Sequence, residues 1–217
     1  MGNAAETVYI VDDDVTFARS LARLVGAAGW KAQAFTSAAE FLAAEREPED
    51  GIGCVILDVR MPGMRGPELY RAMLDRNIDL PVIFLTGHGD VATSVDAMKL
   101  GAVDFLEKPV LGERLVAAIR VALERHVTRR RRSRTRRESE ARLARLTPRE
   151  REVMAHVVAG RLNKQIAVDL GISLKTVKAH RAKVMQKTDA KSVAALVDLC
   201  REAGISPVVH ALAESLP

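Results

Sequence analysis

The stretch Val8-Tyr9-Ile10-Val11-Asp12-Asp13 decides the architecture of this chain, because a short apolar run ends directly on two carboxylates. Short apolar runs of this kind predict buried strands of a parallel sheet. Three later runs are followed, at once or within two residues, by a polar side chain: Cys54–Leu57 by Asp58, Val82–Leu85 by Thr86, and Asp104–Leu106 by Lys108. Since ligands of open α/β sheets bind at the carboxyl ends of the strands, we expect these polar residues to meet at one edge.

The chemistry of this predicted cluster points to a divalent cation and a phosphoryl group. Asp12, Asp13 and Asp58 would repel one another and raise at least one pKa unless a cation lay among them. Oxygen ligands without His or Cys favour Mg²⁺, which keeps water in its shell and also binds phosphoryl oxygens. Thr86 adds a hydroxyl donor and Lys108 a compact positive charge. The central carboxylate, Asp58, is the natural phosphoryl acceptor.

Four segments of the first half resemble the receiver domain of two-component response regulators: Val11–Asp14, Leu57–Gly63, Thr86–Asp90 and Glu107–Pro109. The match covers roughly residues 6–125. The resemblance implies a flavodoxin-like α/β fold with a five-stranded parallel sheet in the order 2-1-3-4-5.

The resemblance also implies a role for individual residues of the cluster. Asp58 would accept the phosphoryl group, with Lys108 pairing to the phosphate. Asp13, Asp58 and the backbone carbonyl of Arg60 would bind Mg²⁺, while Asp12 would act through water.

A conformational switch is implied as well. In receivers, a hydroxyl at the position of Thr86 moves toward the phosphoryl oxygen, and an aromatic ring at the position of Phe105 follows it inward. The Lys108-Pro109 bond is often cis in the family. The surface of the fourth helix, fifth strand and fifth helix, roughly Val91 to Arg120, is the expected two-state element and dimer surface.

Composition and charge agree with two modules. A chain of 217 residues with 48% hydrophobic and 28% charged residues is ordinary for two globular domains. Through Glu124, 12 basic residues stand against 19 acidic ones, a net of −7; from Arg125 onward, 21 stand against 9, a net of +12. A back half this basic predicts a polyanionic partner. The two cysteines, Cys54 and Cys200, suggest neither a disulfide framework nor a metal site.

Arginine dominates the segment between the modules, where eight of the thirteen residues 125–137 are arginines. Upstream, Leu115, Ile119, Leu123 and Val127 recur at helical spacing, so the last receiver helix should run into this segment until its apolar face ends. Two interpretations stay open. The segment is either a solvated helical or disordered spacer, or a supplementary phosphate-binding arm whose affinity falls steeply with salt.

Past the linker, Thr147-Pro148-Arg149-Glu150 predicts a helix start, because Thr147 can cap, Pro148 suits the first turn and Glu150 can return a hydrogen bond. Gly160 is expected to end that helix in a left-handed C-cap. Asn163 is the expected cap of a short second helix, and Gly171 allows a tight turn before Ser173 caps a third. The pattern predicts two helices joined by a short turn.

The third predicted helix, about residues 173–187, keeps Leu174, Val177 and Val184 apolar and carries basic residues on its other faces. Such a helix fits the major groove of DNA. The region resembles the LuxR-type helix-turn-helix in four segments: Leu146–Val153, Asn163–Ala167, Leu170–Ser173 and Thr176–Arg181.

This second resemblance implies particular DNA contacts. Lys178 and Ala179 match positions from which the family reaches base edges. Ala182 departs from the long basic residue that some relatives carry, so operator preference is not transferable. The expected phosphate contacts come from four residues: Lys175, Thr176, Arg181 and Lys183.

Together the two matches resemble a response regulator of the NarL/FixJ type, with a receiver at 6–125, an Arg-rich helical linker at 126–142 and a four-helix DNA-binding domain at 143–205. The resemblance implies a cytoplasmic transcription regulator that a sensor histidine kinase phosphorylates. Homodimers would form on phosphorylation and bind an imperfect palindrome in double-stranded DNA. RNA polymerase is a further candidate partner, and no membrane is expected. The last helix, carrying Leu196 and Leu199, is either a dimer contact or intramolecular core.

Two other classes of function are to be weighed against this one. A small-molecule phosphatase or phosphotransferase would need a second acid two residues after Asp58, but that position is Arg60. We therefore expect no enzyme activity beyond Mg²⁺-dependent self-phosphorylation and autodephosphorylation. The other alternative is a phosphorylation-independent DNA-binding regulator. The complete set of acids together with Thr86 and Lys108 argues against it.

Overall fold

The computed structural model describes residues 6–44, 51–87 and 101–205, and the chain folds into two compact units, residues 1–130 and 131–217. The first unit contains β1 (Thr7–Val11), α1 (Val15–Ala27), β2 (Lys31–Phe35), α2 (Ala38–Ala43), β3 (Gly53–Asp58), α3 (Gly66–Asp75), β4 (Val82–Thr86) and β5 (Asp104–Glu107). Helix α4 (Gly112–Ala144) starts in this unit and ends in the second, which adds α5 (Pro148–Val158), α6 (Asn163–Asp169), α7 (Leu174–Thr188) and α8 (Val193–Glu202).

The five strands form one parallel sheet in the order β2-β1-β3-β4-β5, which confirms the predicted fold. Its register aligns the strand ends, since Val11 lies beside Leu57 and Thr86 beside Glu107. The polar residues that end β3 and β4 or follow β1 and β5 therefore meet at one edge of the sheet.

Side-chain alternation along the strands divides the core of this unit into two layers, as the pleat of a strand requires. Val8, Ile10 and Ile56 pack with α1 and α4 on one face of the sheet. Val11 and Leu57 pack with α2 and α3 on the other. The central strands β1, β3 and β4 are buried on both faces, which explains why they are continuous apolar runs.

Helix α4 continues through the Arg-rich segment as a single helix of 33 residues. The prediction that Val127 lies on the packed face of α4 is wrong, because Val127 is 43% exposed. The last packed residue of this face is His126, which is fully buried. His126 Nδ1 accepts a hydrogen bond from the backbone N–H of Gly53 at 3.0 Å. Burial and the nearby Arg130 guanidinium lower the His126 pKa, and Arg130 Nε donates a hydrogen bond to His126 Nε2 at 3.1 Å.

The second unit begins its new helix as expected. Thr147 caps α5 in a capping box, with the Thr147 N–H donating to Glu150 Oε2 at 2.8 Å. Gly160 follows α5 at φ 77, and Gly171 precedes α7 at φ 63, both in the left-handed region that favours glycine. The expected cap at Asn163 is wrong, because Leu162 is the N-cap of α6 and Asn163 is already helical.

The core of the second unit draws on every one of its helices. Leu143, at the end of α4, is buried together with Val153, Ile166, Val177 and Leu196. Leu196, Leu199 and Cys200 of α8 are buried inside this unit, which favours the intramolecular alternative for that face. Both cysteines are free and buried, and burial raises the pKa of Cys54 to about 12 and that of Cys200 to about 11. No described helix is both long and apolar enough to cross a membrane.

Candidate functional site

The predicted acidic cluster forms at the carboxyl edge of the sheet. Ligand oxygens of Asp12, Asp13 and Asp58 all lie within 4.8 Å of one another. Asp12 and Asp58 are buried, whereas Asp13 is exposed to solvent. The cluster thus has a buried side that faces the sheet and an open side from which a ligand can enter.

The Lys108 ammonium bridges the two buried carboxylates. Its Nζ lies 2.7 Å from Asp12 Oδ2 and 2.8 Å from Asp58 Oδ1. The backbone holds the lysine in place, because the Lys108 N–H donates to the Thr86 carbonyl at 2.7 Å beyond the end of β5. The following Lys108-Pro109 peptide bond is cis.

Burial and ion pairing act against each other on these groups. Burial raises the pKa of the Asp58 carboxyl, and the hydrogen bond and charge of Lys108 oppose that rise without cancelling it. Burial alone would lower the pKa of Lys108, but its hydrogen bonds to Asp12 and Asp58 raise that pKa above its ordinary value. Lys108 is therefore charged at neutral pH, and its charge favours the ionised form of Asp58.

Backbone N–H groups fix the orientation of the carboxylates. Asp58 Oδ2 accepts from the Arg60 N–H at 3.1 Å, and Asp12 Oδ1 accepts from the Asp14 N–H at 3.0 Å. Asp14 in turn caps α1, its Oδ1 accepting from the N–H groups of Thr16 and Phe17. Hydrogen bonds through Asp14 therefore connect the start of α1 and the turn after β1 to Asp12 of the acidic cluster.

The two residues expected to switch are near the cluster but differ in their surroundings. Thr86 is buried and its hydroxyl donates to the Gly87 carbonyl at 2.9 Å. Phe105 is half-buried against Phe84, with ring centroids 6.0 Å apart. Residues 88–100, which include part of the surface expected to respond, lie outside the described residues.

Phe17 contributes to the site, although the sequence analysis assigns it no role there. The Lys108 ammonium lies 4.4 Å from the centroid of the Phe17 ring, which is a cation–π distance. The helical spacing of Phe17 predicts that one side of the ring is buried. It carries no signal that a lysine 91 positions later in the chain reaches the ring.

The second predicted contact surface lies on α7. Four of the predicted contact residues are exposed: Lys175, Lys178, Ala179 and Lys183. Thr176 and Arg181 are only half-exposed and engaged locally, because the Thr176 hydroxyl is 2.8 Å from that of Ser173 and Arg181 donates to Asn163 Oδ1 at 2.7 Å. Leu174 is expected on the apolar face, yet it is 38% exposed.

The position of α7 in its domain is fixed from both ends. Ser173 caps it, accepting from the Thr176 N–H. Near the other end, Lys187 Nζ lies 2.6 Å from Glu150 Oε2, and Glu150 is buried at the start of α5. Hydrogen bonds from Lys187 and from the Thr147 backbone hold the pKa of Glu150 down to about 2.

Comparison with known proteins finds two family matches along the chain. Residues 8–120 match the family model of the response regulator receiver domain, and residues 144–200 match that of the bacterial regulatory proteins of the luxR family. The fold and the acidic site thus define a signal-receiving module joined to a LuxR-type DNA-binding module.

Similar full-length proteins share both modules. The transcriptional regulatory protein FixJ of Azorhizobium caulinodans is 46% identical over 92% of this chain and 94% of that protein. Nodulation protein W of Bradyrhizobium diazoefficiens is 42% identical over 92% and 87%. The solved response regulator StyR is 41% identical over 92% of this chain and 100% of its own, with a TM-score of 0.82. The chain belongs to the NarL/FixJ-type response regulators, which are DNA-binding proteins.

Proposed function

We propose that this protein is a transcription regulator switched by phosphorylation of Asp58 by a sensor histidine kinase. The observation that carries the proposal is the buried Asp12, Lys108 and Asp58 constellation with Asp13 at its open side. A carboxylate that is held by one backbone N–H and one ammonium is oriented for nucleophilic attack.

The transfer step follows from these groups. An Asp58 carboxylate oxygen attacks the phosphorus of a phosphohistidine on the kinase, so that an O–P bond forms and the N–P bond breaks. The leaving imidazole nitrogen keeps the electron pair of the broken bond. Lys108 stabilises charge on the phosphoryl oxygens, and the Thr86 hydroxyl must leave the Gly87 carbonyl to donate to one of them.

The oxygen donors of the cluster fit Mg²⁺. Asp13, Asp58 and the Arg60 backbone carbonyl would hold the ion, with Asp12 acting through water. The described set contains only hard oxygen ligands, which suit this cation. When bound, Mg²⁺ supplies charge neutralisation for the phosphoryl group. Lys108 offsets one of the two buried negative charges whether or not the ion is present.

The output is DNA binding by α7. Lys178 and Ala179 would meet base edges in the major groove, while Lys175, Thr176 and Lys183, with Arg181, would contact phosphates. Phosphorylation would move Thr86 and Phe105 and alter the surface at residues 91–120, through which receivers pair. Paired receivers would place two α7 helices on the half-sites of an imperfect palindrome, where RNA polymerase is a candidate partner.

The test is selection of genomic DNA fragments by the purified full-length protein, with and without Mg²⁺ and a small phosphodonor, at one fixed salt concentration. Enrichment of a palindromic site only after phosphorylation is expected, together with phosphodonor-dependent dimers in sedimentation. The Asp58→Asn variant should lose both responses and keep its basal DNA binding. Equal enrichment in all conditions would instead establish the phosphorylation-independent regulator.

A further inference from the structure

The arginine segment, residues 125–137, offers a surface distinct from α7. Between His126 and Ser139, not one residue of α4 is buried. Because this stretch has no apolar face over three turns, it cannot pack as a coiled coil or as a buried helix. Its exposed, mostly charged side chains suit a polar partner.

The charge of the segment is far from balanced. Residues 125–142 carry nine arginines and two glutamates, a net of +7 over about 27 Å of helix. Within the described residues, five of these arginines pair with no carboxylate and Arg130 donates to His126 instead; the five are Arg125, Arg131, Arg132, Arg137 and Arg142. The arginines that do pair are Arg129 with Asp79 at 2.5 Å, Arg134 with Glu138 at 2.8 Å, and Arg136 with Glu140 at 2.8 Å.

The second half of the segment belongs to the same compact unit as the helix-turn-helix. Ser139 Oγ donates to Glu202 Oε2 of α8 at 2.8 Å, and Ser139 is 2% exposed. One turn later, Leu143 is buried in the same core as Leu199 and Ala203. Of the arginines without a carboxylate partner, Arg131, Arg132 and Arg137 therefore lie on the last exposed turns before α4 docks on the domain that binds DNA.

We propose that Arg131, Arg132 and Arg137 bind the sugar-phosphate backbone of DNA outside the bases that α7 reads. The guanidinium fork matches phosphate oxygens, and charge complementarity selects a polyanion over an apolar partner. Successive residues are about 100° apart around a helix, so one DNA strand meets one or two of the three at a time. This inference rests on DNA binding by the α7 domain and adds affinity without sequence preference.

The test variant is R131Q/R132Q/R137Q in the full-length protein. Glutamine has nearly the helix propensity of arginine, and these side chains are exposed and unpaired, so α4 should keep its structure. Circular dichroism checks this. The matched control, R19Q/R23Q/R71Q, removes the same charge from exposed arginines of α1 and α3.

Binding to a random-sequence duplex is measured by fluorescence anisotropy over a series of salt concentrations. Each DNA phosphate that a variant no longer neutralises should reduce the magnitude of the slope of log K against log salt by about 0.9. We therefore expect a reduction of roughly one to two in the test variant. The control should keep the wild-type slope. An unchanged slope in the test variant, or an equal fall in the control, would overturn the proposal.

Two further arms separate this surface from α7 and from other polyanions. Lys178→Gln should reduce the preference for the selected palindrome over random DNA, whereas the arginine variant should leave that ratio unchanged. If Lys178→Gln leaves the ratio unchanged, the assignment of α7 fails, while the salt slope still decides the role of the three arginines. Loss of binding to phosphatidylserine vesicles with the DNA slope intact would replace DNA by an anionic membrane and contradict the proposal.

Discussion

The receiver pocket and the DNA-facing helix use lysine in opposite ways. Lys108 holds its ammonium between two buried carboxylates, whereas Lys178 holds its ammonium in solvent on α7. A buried charge needs an opposite charge inside the protein, whereas an exposed charge is stabilised by hydration until an anionic partner binds. The receiver site therefore depends on tertiary packing, whereas the DNA surface depends mainly on the order of residues along one helix.

Replacing Lys108 or Lys178 by glutamine should give the largest difference in stability between the receiver site and α7. Lys108→Gln leaves Asp12 and Asp58 buried without their cation, so we expect the free energy of unfolding to fall by about 2–3 kcal/mol, less than for a fully buried pair because Lys108 is 24% exposed. Lys178→Gln should change stability by less than about 0.5 kcal/mol. Urea denaturation followed by circular dichroism measures both, and similar effects would contradict the difference between the two lysines.

The pH dependence of that first variant has a definite sign. Without Lys108, Asp12 and Asp58 would share a proton, so a carboxyl pKa in the folded state would lie above its unfolded value. The stability that a raised carboxyl pKa contributes is present at low pH and is lost as pH rises through the folded pKa. The deficit of Lys108→Gln relative to the natural protein should therefore be smaller near pH 4 than at pH 7.

Although Lys178→Gln should hardly change stability, we expect it to have a large effect on sequence recognition by the protein. Lys178→Gln should cost about 1–3 kcal/mol of discrimination between the selected palindrome and a variant with one changed base pair. Lys191→Gln, an exposed lysine that follows α7, should leave discrimination unchanged and serves as the control. Competition binding at fixed salt measures the ratio. Equal losses in the two variants would mean that Lys178 reads no base.

Glu150 and Lys187 form a partly buried ion pair within the DNA-binding unit. This pair tests whether a buried charge depends on its partner in this domain as it does in the receiver. Glu150→Gln should lower the free energy of unfolding of that unit by roughly 1–3 kcal/mol, because it weakens the helix cap and removes a charged hydrogen bond. With a folded pKa of about 2 against an ordinary value of 4.5, Glu150 contributes stability above pH 4.5 that is lost as pH falls toward 2. The variant should lack this acid dependence, and a retained dependence would assign it to other groups.

Phe17 should give a smaller stability loss than the ion-pair residues Lys108 and Glu150. Phe17→Leu keeps an apolar side chain but removes the ring beneath the Lys108 ammonium, so we expect a loss of about 1 kcal/mol in the free energy of unfolding. Val15→Ala, an exposed change in the same turn of α1, is the control. In the Lys108→Gln background the effect of Phe17→Leu should shrink, as a double-mutant cycle would show. An unchanged effect would mean that Phe17 acts through packing alone.

The helical linker shows where periodicity misleads by one position. Leu115, Ile119 and Leu123 lie on the packed face of α4 as predicted, but the face ends at His126 rather than at Val127. Apolarity along the chain identifies Val127, whereas the neutral imidazole of His126 is buried because the Gly53 N–H reaches it. A hydrogen bond from a strand 73 residues earlier leaves no trace in local sequence.

By itself, the sequence determined the parallel sheet, its order by resemblance, and the meeting of Asp12, Asp13, Asp58 and Lys108 at one edge. These follow because strand ends are marked by the change from apolar to polar residues, and all parallel strands end on the same side. The sequence also determined the caps at Thr147 and Ser173, which act within four residues. Only the tertiary structure decided that Lys108 bridges two carboxylates over Phe17, that Asn163 bonds Arg181 instead of capping α6, and that His126 is buried, since each contact joins segments distant in the chain.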